Sequence, residues 1–388
     1  MAYVETTIPG VGTVAAHGRE GHKNMFWRIR QIATGRAWVA QTAYAGTGNG
    51  VITGTDSAVA APTETWTIAC TSAAVPGAEV WSVTGTVSGA QAAATTGVAY
   101  DNGIIKFTIN AGATNFAVSD QFTLGATASP LPTAQRWAIN QESYATDDWE
   151  ISLQGPNISG FDDVFVGFST RQSVPSDYWN LILRGAIGYV SSSPWLSQPN
   201  PQFWTTPMWQ FDIPCGISVT DIKIAFWVNV EGNTDVGYTG LFLPSMTPNE
   251  YSFPMLVAAS VAGVSALRYS DTTRQIGVKA NNRIYFIDGT WKAPEPWPWY
   301  ADNTPPNLGE TATEPTKDSA LADQRQCLPI HLMDASNGLY GTVQDLFFIS
   351  GFALAVGDVI DDGAGNTYKV VRNIHRTGFF DYLAFRRA

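Results

Sequence analysis

Short runs of β-branched and aromatic residues, separated by glycine, proline and asparagine turns, recur along almost the whole chain. Examples are TWTIAC, EVWSVTGTV, IIKFTI, DVFVGFSTR and IKIAFWVNV. Such residues favour strands, and the turn residues between them let the strands pair as antiparallel neighbours. Asn102-Gly103 in YDNGI is the strongest hairpin signal, because both residues tolerate positive φ. The pattern predicts a mainly β protein with β-sandwich-type architecture, and strands that are apolar on both faces fit the inside of a sandwich.

The segment MFWRIRQI near the start fits two structures. Met25, Phe26, Ile29 and Ile32 would share one face of a helix. The same run also has the composition of a strand. We predict a strand here, and no long amphipathic helix elsewhere.

Residues 45–125 differ in character from the rest of the chain. They begin with the glycine-rich run GTGNGVITG, which we interpret as a linker, and their only basic residue is Lys106. We predict a small accessory β domain, 45–125, inserted in a host β-sandwich domain. The remaining predicted segments are the host domain, residues 1–44 plus 126–293; a Pro/Trp-rich loop, 294–318; and a C-terminal β segment that packs on the host domain, 319–388.

Composition excludes several classes of partner. The net charge is −11, and phosphate contacts need clustered lysine and arginine, so we predict no nucleic-acid binding. No apolar run approaches the roughly 20 residues of a membrane helix, and no signal peptide is evident, so we predict no membrane insertion. Cys70, Cys215 and Cys327 lack zinc-site spacing and are expected to be free thiols in a reducing cytoplasm.

Residues with the spacing of known catalytic motifs do not stand out. The four histidines lack metal-site spacing, and GTGNGVITG lacks the lysine and helix of a phosphate loop. Adjacent acids point to opposite faces of a strand; they are Asp147-Asp148, Asp162-Asp163 and Asp361-Asp362. Asp361, Asp362 and Asn366 predict a hairpin turn rather than a calcium loop. A glycan depolymerase would need two facing carboxylates roughly 5–9.5 Å apart, and we predict neither an enzyme nor a cofactor.

Two sets of residues are candidates for contacts with other molecules. Aromatic side chains near the proline-rich loop could stack on sugar rings or on a partner, or could fill the core or an assembly interface; they are Trp291, Trp297, Trp299 and Tyr300. Basic residues cluster at both ends of the chain and could contact acidic neighbours in an assembly; the candidates are Arg28, Arg30, Arg386 and Arg387.

Residues 45–125 resemble a module of tailed-bacteriophage structural proteins, including head-decoration proteins. The resemblance rests on the turn ATTGVAYDNG and the ending AGATNFAVSDQF. One departure is Ser119, where such modules often carry glycine. Most of the remaining chain resembles a family of phage virion proteins described as structural, through segments such as MFWRIRQIATG, YWNLILRGAIGYV, YTGLFLPSMTPNEYSFPMLVAAS and LYGTVQDLFFISGF.

The resemblance implies a non-enzymatic structural component of a tailed phage particle, in the tail, baseplate or neck. It implies assembly in the host bacterial cytoplasm and a place in the virion. The partners would be copies of itself, in a symmetric oligomer with aromatic-rich interfaces, and other virion proteins. The insert would be exposed as a decoration or contact knob. Two alternatives stay open: a capsid decoration protein, and a receptor-binding module for host-surface carbohydrate.

Overall fold

The computed structural model describes residues 1–11, 19–145, 148–230, 232–248, 250–268, 282–297, 327–334, 338–349, 351, 354–372 and 382–387. Strands account for 54% of the structure and helix for 6%, which confirms the mainly β prediction. Of the predicted Pro/Trp-rich loop, 294–318, residues 298–318 lie outside the described residues. Cys70, Cys215 and Cys327 are free cysteines, as expected.

The described residues contain one α-helix, α1 (Gly21–Thr34), and two 3-10 turns, Thr133–Gln135 and Trp195–Ser197. The strands of the first half are β1 (Ala2–Ile8), β2 (Trp38–Ala45), β3 (Val51–Ser57), β4 (Glu64–Ser72), β5 (Val80–Gly85), β6 (Gly89–Thr95), β7 (Ala99–Asp101), β8 (Ile105–Asn110), β9 (Gln121–Thr127), β10 (Ala138–Tyr144), β11 (Trp149–Gln154), β12 (Phe165–Ser173) and β13 (Tyr178–Ala186). Those of the second half are β14 (Gln202–Pro207), β15 (Ile213–Val219), β16 (Lys223–Val230), β17 (Asn233–Leu241), β18 (Leu243–Pro244), β19 (Met255–Ala258), β20 (Val261–Ala262), β21 (Asn282–Tyr285), β22 (Trp291–Lys292), β23 (Glu295–Trp297), β24 (Leu328–Asp334), β25 (Gly338–Ile349), β26 (Val359–Asp361), β27 (Thr367–Arg372) and β28 (Tyr382–Arg386).

The chain divides into two compact units. The smaller unit is Ile8–Thr133 with Gln210–Asp212, and the larger unit is Met1–Thr7, Ala134–Trp209 and Ile213–Ala388. The predicted insert, 45–125, lies inside the smaller unit. The observed boundary is wider because β2 pairs with β9 along its whole length, from Trp38↔Thr127 to Ala45↔Gln121.

Two antiparallel sheets form the smaller unit, with strand orders β2-β9-β4-β5-β6 and β3-β8-β7. Their inward-facing side chains alternate with exposed ones, as a two-layer sandwich requires. Trp66, Trp81, Phe107, Phe122 and Leu124 are among the fully buried members of its core. The predicted hairpin at Asn102-Gly103 is present between β7 and β8, with only Gly103 of the pair at positive φ, 78°.

The glycine-rich run GTGNGVITG was interpreted as a linker, and this interpretation is wrong, because the run is packed into the smaller unit. A Cβ at Gly48 or Gly50 would lie 2.5 or 2.2 Å from the Phe116 ring, so only glycine lets the backbone approach that ring. The following residues form β3. Ser119, which departs from the phage-module pattern, has a φ of 81°, in the region where glycine is the unstrained choice.

The strand predicted over MFWRIRQI is wrong, because residues 21–34 form helix α1. Met25, Phe26, Ile29 and Ile32 are all 0% exposed, and Gly35, with φ 74°, ends the helix in the left-handed conformation. Every residue of α1 is buried, including its polar side chains. The apolar face of this helix was visible in the sequence, but the composition of the run also fits a strand, and the choice of strand was wrong.

Three sheets form the larger unit. Their strand orders are β1-β15-β16-β17-β19-β21-β22, then β10-β11-β12-β13-β14-β20, and finally β23-β24-β25-β28-β27-β26 with β18 paired to β25. The first sheet lies in the middle. Val236 and Tyr238 of β17 pack into a core shared with Leu346 and Phe385 of the third sheet. A Cβ at Gly237, between them on the opposite face, would lie 3.0 Å from Leu183 of the second sheet. Strands buried on both faces explain runs such as IKIAFWVNV.

A buried ion pair joins the central and third sheets of this unit. Lys223 of β16 is 0% exposed, and its Nζ lies 3.0 Å from Oδ2 of Asp345 in β25. The same Nζ donates to the Ser218 hydroxyl at 2.7 Å. Asp345 has a φ of 62°, a conformation that aspartate tolerates better than most residues. Burial lowers the pKa of Lys223, and the Asp345 carboxylate opposes that shift.

Candidate functional site

The aromatic residues predicted as a contact surface are only partly described. Trp291 is half-buried, donates its Nε1–H to the Asn200 carbonyl at 2.9 Å and lies edge-on to Tyr285 at 5.3 Å. Trp297 ends β23, whose backbone pairs with β24. Trp299 and Tyr300 lie outside the described residues. The ring of Trp291 therefore has a structural role in the fold, and a stacking platform stays a prediction.

Arg28 and Arg30 make their contacts inside the chain. They are 4% and 3% exposed. The Arg28 guanidinium lies 5.3 Å from the Trp38 ring, and Arg30 Nη1 lies 3.1 Å from Asp56 Oδ2. The bulge in β3, where Gly54 has a φ of 65°, brings Asp56 into the buried interior. Side chains this deeply buried do not offer a surface to a partner, so their predicted role as assembly contacts loses its basis.

Arg386 and Arg387 also bind groups within the larger unit. Arg387 Nε lies 3.1 Å from Glu5 Oε2, and Arg386 Nη1 lies 3.8 Å from Asp345 Oδ1. Both side chains remain about one-third exposed, Arg387 at 33% and Arg386 at 37%. Of the four predicted arginines, these two keep a surface that an acidic neighbour could reach.

One end of the smaller unit has an unusual surface, which we call the uncharged tip (residues 46–51, 73–80, 95–98 and 111–120). Strand pairing brings these loops together: Val51 pairs with Asn110, Gly97 N–H donates to Ile109 O, and Ser119 N–H donates to Cys70 O. Its exposed residues carry no formal charge. Four valines from four different segments are more than half exposed there; they are Val51 at 55%, Val75 at 60%, Val98 at 57% and Val118 at 58%.

The two acids of the uncharged tip point inward and fasten its loops. Asp120 is 3% exposed and accepts hydrogen bonds from the amides of Thr47, Gly48 and Ala117, at 2.9, 3.0 and 3.0 Å. Glu79 is 1% exposed and accepts the amide of Gly77 at 3.0 Å. Buried carboxylates of this kind satisfy turn amides that would otherwise lose hydrogen bonds to water. The tip is therefore held in place without any surface charge.

The carboxylate of Asp120 should make the tip sensitive to acid. Burial alone would raise its pKa, but the amides of Ala117, Thr47 and Gly48 and the Tyr44 hydroxyl together lower it below its ordinary value of 3.8. A lowered folded pKa means that this stabilisation is complete above about pH 5 and is lost as the pH falls through the folded pKa. Asp120→Asn should cost about 2–4 kcal/mol of local stability at pH 7.

Hydrogen exchange of peptides covering residues 44–50 and 111–124 would measure this effect. At pH 7 the Asp120→Asn variant should lose protection in both peptides relative to the unmodified chain. The difference should narrow as the pH falls below about 4, because the carboxylate of the opened loop, with its ordinary pKa of 3.8, then takes up a proton and the advantage of the ionised folded form shrinks. A difference that is the same at pH 7 and pH 3 would contradict the assigned role.

The second sheet of the larger unit carries a small cleft, which we call the acid cleft. Its floor is a row of cross-strand neighbours, Glu150, Ser169 and Ile182, on β11, β12 and β13. Asp148 and Arg171 lie two residues from Glu150 and Ser169, so they project from the same face. The cleft has a volume of about 220 Å³. Its remaining side chains include Trp195, Leu196 and Val264.

A second arginine lies beneath the acid cleft and supports its wall. Arg184 is 1% exposed, and its two Nη atoms donate to the Trp195 carbonyl at 2.8 Å and the Ser152 hydroxyl at 2.7 Å. Burial lowers the pKa of Arg184 to about 10. Burial, and then the Asp148 carboxylate, raise the pKa of Glu150, while Arg184 opposes that shift. Glu150 therefore holds its proton more readily than an exposed glutamate.

A larger groove, of about 340 Å³, lies elsewhere in the larger unit between β1, β16 and β27. Its ionic groups neutralise each other, because Lys369 Nζ lies 2.8 Å from Glu5 Oε1. Trp227 in its wall is 4% exposed, so its ring has too little accessible surface to stack on a ligand. The groove thus presents mainly hydroxyl and apolar side chains.

The described residues contain no group of three or more histidine, cysteine or acidic side chains placed to bind a metal ion. Asp362 at the predicted hairpin turn accepts hydrogen bonds from Ala364 N, Asn366 N and the Tyr368 hydroxyl, at 2.9, 3.1 and 3.0 Å. The turn between β26 and β27 confirms a hairpin at this place. None of the helices in the described part of the chain has the length and apolar character needed to cross a membrane.

Neither the acid cleft nor the uncharged tip was predicted from the sequence. The cleft could have been found from the spacing of Asp148 and Glu150, since residues two apart on a strand share a face. The tip could have been found from the recurrence of valine in successive turns. No protein-family model matches this chain, and no curated protein matches it.

Proposed function

We propose that this chain is a non-enzymatic structural component of a tailed phage particle, in the tail, baseplate or neck, and that the uncharged tip is a contact with a neighbouring virion subunit. The observation that carries the proposal is the tip itself. The resemblance of residues 45–125 to phage structural modules supports the same assignment. The contact would be made by copies of this chain or by another virion protein.

The surface of the tip has the composition of an interface centre. Single exposed apolar side chains are normal, but contiguous apolar patches mark interaction sites. Charged residues are depleted at the centre of protein interfaces, because their desolvation is costly. Val75 and Val98 lie on adjoining loops, since Gly97 would place a Cβ 3.7 Å from the Gly77 carbonyl. The tip combines exposed valines with inward-facing acids, which is the arrangement that an interface centre requires.

Two buried ion pairs have structural explanations. Lys223 and Asp345 pair with each other, and Asp56 pairs with Arg30. These groups hold sheets and the helix in place within each unit. Their arrangement supports a structural role for the charges of the core rather than a catalytic one.

The test introduces charge at the tip and compares it with the same change at the other end of the unit. The test variant is Val75→Lys with Val98→Lys, and the control is Val59→Lys with Val87→Lys, at 49% and 67% exposure. The control valines follow Ser57 and Gly85, at the end opposite the tip. A buried lysine costs an interface several kcal/mol, so incorporation of the test variant into particles should fall at least about tenfold.

Quantitative mass spectrometry of purified particles provides the readout, with hydrogen exchange as a check that both variants are folded. The control variant should be incorporated as well as the unmodified chain. Equal incorporation of the two double variants would contradict the tip as an assembly contact. A capsid decoration protein would show the same loss of incorporation, but its copies would lie on the head.

A further inference from the structure

The acid cleft in the larger unit contains polar side chains that the fold leaves unused. Ser169 is 5% exposed, and its hydroxyl lines the cleft with no hydrogen bond to any residue that the structure describes. The side chains of Asp148, Glu150 and Arg171 likewise make no hydrogen bond or ion pair to any described residue. Buried polar groups normally find partners within the protein or from bound molecules. A concave site with several convergent, unsatisfied polar groups is characteristic of ligand binding.

The charges of the cleft restrict the class of ligand. A cationic ligand would meet the carboxylates of Asp148 and Glu150 favourably but would be repelled by Arg171. An anionic ligand would pair with Arg171 but would be repelled by both carboxylates. A neutral ligand with hydroxyl groups avoids both conflicts, because each hydroxyl can donate to a carboxylate and accept from the guanidinium. Ser169 can serve as donor or acceptor to the same ligand.

The shape and walls of the cleft agree with this class. Ile182, Leu196 and Val264 supply apolar surface for the C–H face of a ring. The volume of about 220 Å³ is smaller than the roughly 300–1,000 Å³ of a drug-sized pocket. It therefore suits one ring of a longer chain, with the neighbouring units outside. Trp195 is 3% exposed and held by Arg184, so it acts as a rigid wall and not as a stacking platform.

We propose that the acid cleft binds one unit of a neutral saccharide, whose hydroxyls donate to Asp148 and Glu150 and accept from Arg171, with Ser169 at the floor. This site differs from the aromatic surface predicted at Trp291, Trp297, Trp299 and Tyr300. It goes beyond the particle role, since it lies in the larger unit and uses none of the tip residues. The ligand class would suit a protein that meets polysaccharide on a cell surface.

The test uses the full-length chain on an array of neutral, acidic and amine-bearing oligosaccharides, followed by calorimetric titration with the best neutral ligand. We expect a Kd in the millimolar range or tighter. Ser169→Ala and Asp148→Asn should each weaken binding at least about tenfold, since the first removes a buried hydroxyl and the second removes the charge of an exposed acceptor at the cleft edge. Asp163→Asn is the control, because Asp163 is an exposed acid of the same unit outside the cleft, and its carboxylate accepts a hydrogen bond from Gln154 at 3.2 Å.

Several results would overturn the proposal. The first is absence of binding to any neutral glycan at about 10 mM, a concentration that would detect even Kd values weaker than 1 mM. The second is binding that survives both cleft variants. The third is stronger binding of a trilysine peptide than of any neutral glycan. Circular dichroism would establish that Ser169→Ala is folded, and Glu150→Gln supplies a second isosteric variant. Particle incorporation of Ser169→Ala should be normal, so failure of this proposal and failure of the tip contact are distinguishable.

Discussion

Replacing Asp345 by asparagine should lower the stability of the larger unit by about 3–5 kcal/mol, the usual cost of removing one partner of a buried ion pair. Lys223 is 0% exposed, and its Nζ lies 3.0 Å from the Asp345 carboxylate. The Ser218 hydroxyl, 2.7 Å from the same Nζ, would remain but would not neutralise the charge. Asparagine keeps the shape of aspartate and tolerates its φ of 62°, so backbone strain is not changed.

Hydrogen exchange of peptides covering β16 and β17 would measure this loss. Adding Lys223→Met should restore most of the stability, because replacing a whole buried pair by apolar atoms is often neutral. Protection in β4 and β9 of the smaller unit should stay as it is in the unmodified chain. A loss below about 1 kcal/mol, the value typical of an exposed pair, would show that Lys223 is not held as a buried charge.

Trp81→Ala should destabilise the smaller unit by about 3–5 kcal/mol, the range observed for removing a buried tryptophan. Trp81 is 0% exposed, donates its Nε1–H to the Thr96 hydroxyl at 2.9 Å and lies edge-on to Phe116 at 4.8 Å. Phe122 lies at 5.5 Å on another side of the ring. Removal of the Trp81 ring leaves a cavity in a close-packed core. It also deprives the buried Thr96 hydroxyl of its hydrogen-bond donor.

Trp81→Phe is the matched control, since it keeps an aromatic ring and removes the hydrogen bond and part of the volume. It should cost clearly less than Trp81→Ala. Hydrogen exchange should show the loss in β4, β5 and β9, with the larger unit unaffected, because each unit has its own core. Equal loss of protection in β16 and β17 would mean that the two units unfold together.

Most of the fold could be predicted from the periodicity of the strands and the residues of the turns. The smaller unit has Trp66, Ile68 and Cys70 facing inward on β4, with more exposed residues between them. That alternation is visible in the sequence because one face of each sheet meets solvent. Helix α1 was missed because its run of aromatic and β-branched residues also fits a strand, and because the sequence does not show that the surrounding structure buries its polar side chains.

The functional surfaces were harder to predict, because they depend on which residues become neighbours. The arginines in MFWRIRQI had the composition of a surface patch, yet the bulge at Gly54 brings Asp56 to Arg30 and buries both. The acid cleft depends on Glu150 and Ser169 being directly opposite across two strands. Register of this kind is set by long-range pairing, which composition does not reveal.

The most direct test of the proposed function is to locate the chain on purified phage particles. An antibody to residues 45–125, attached to gold and imaged by electron microscopy, would give the position, and mass spectrometry would give the number of copies. We expect a fixed number of copies per particle, with label at the tail, baseplate or neck. A chain that is absent from particles and stays a soluble monomer would contradict the structural role, and label spread over the head would contradict the tail position.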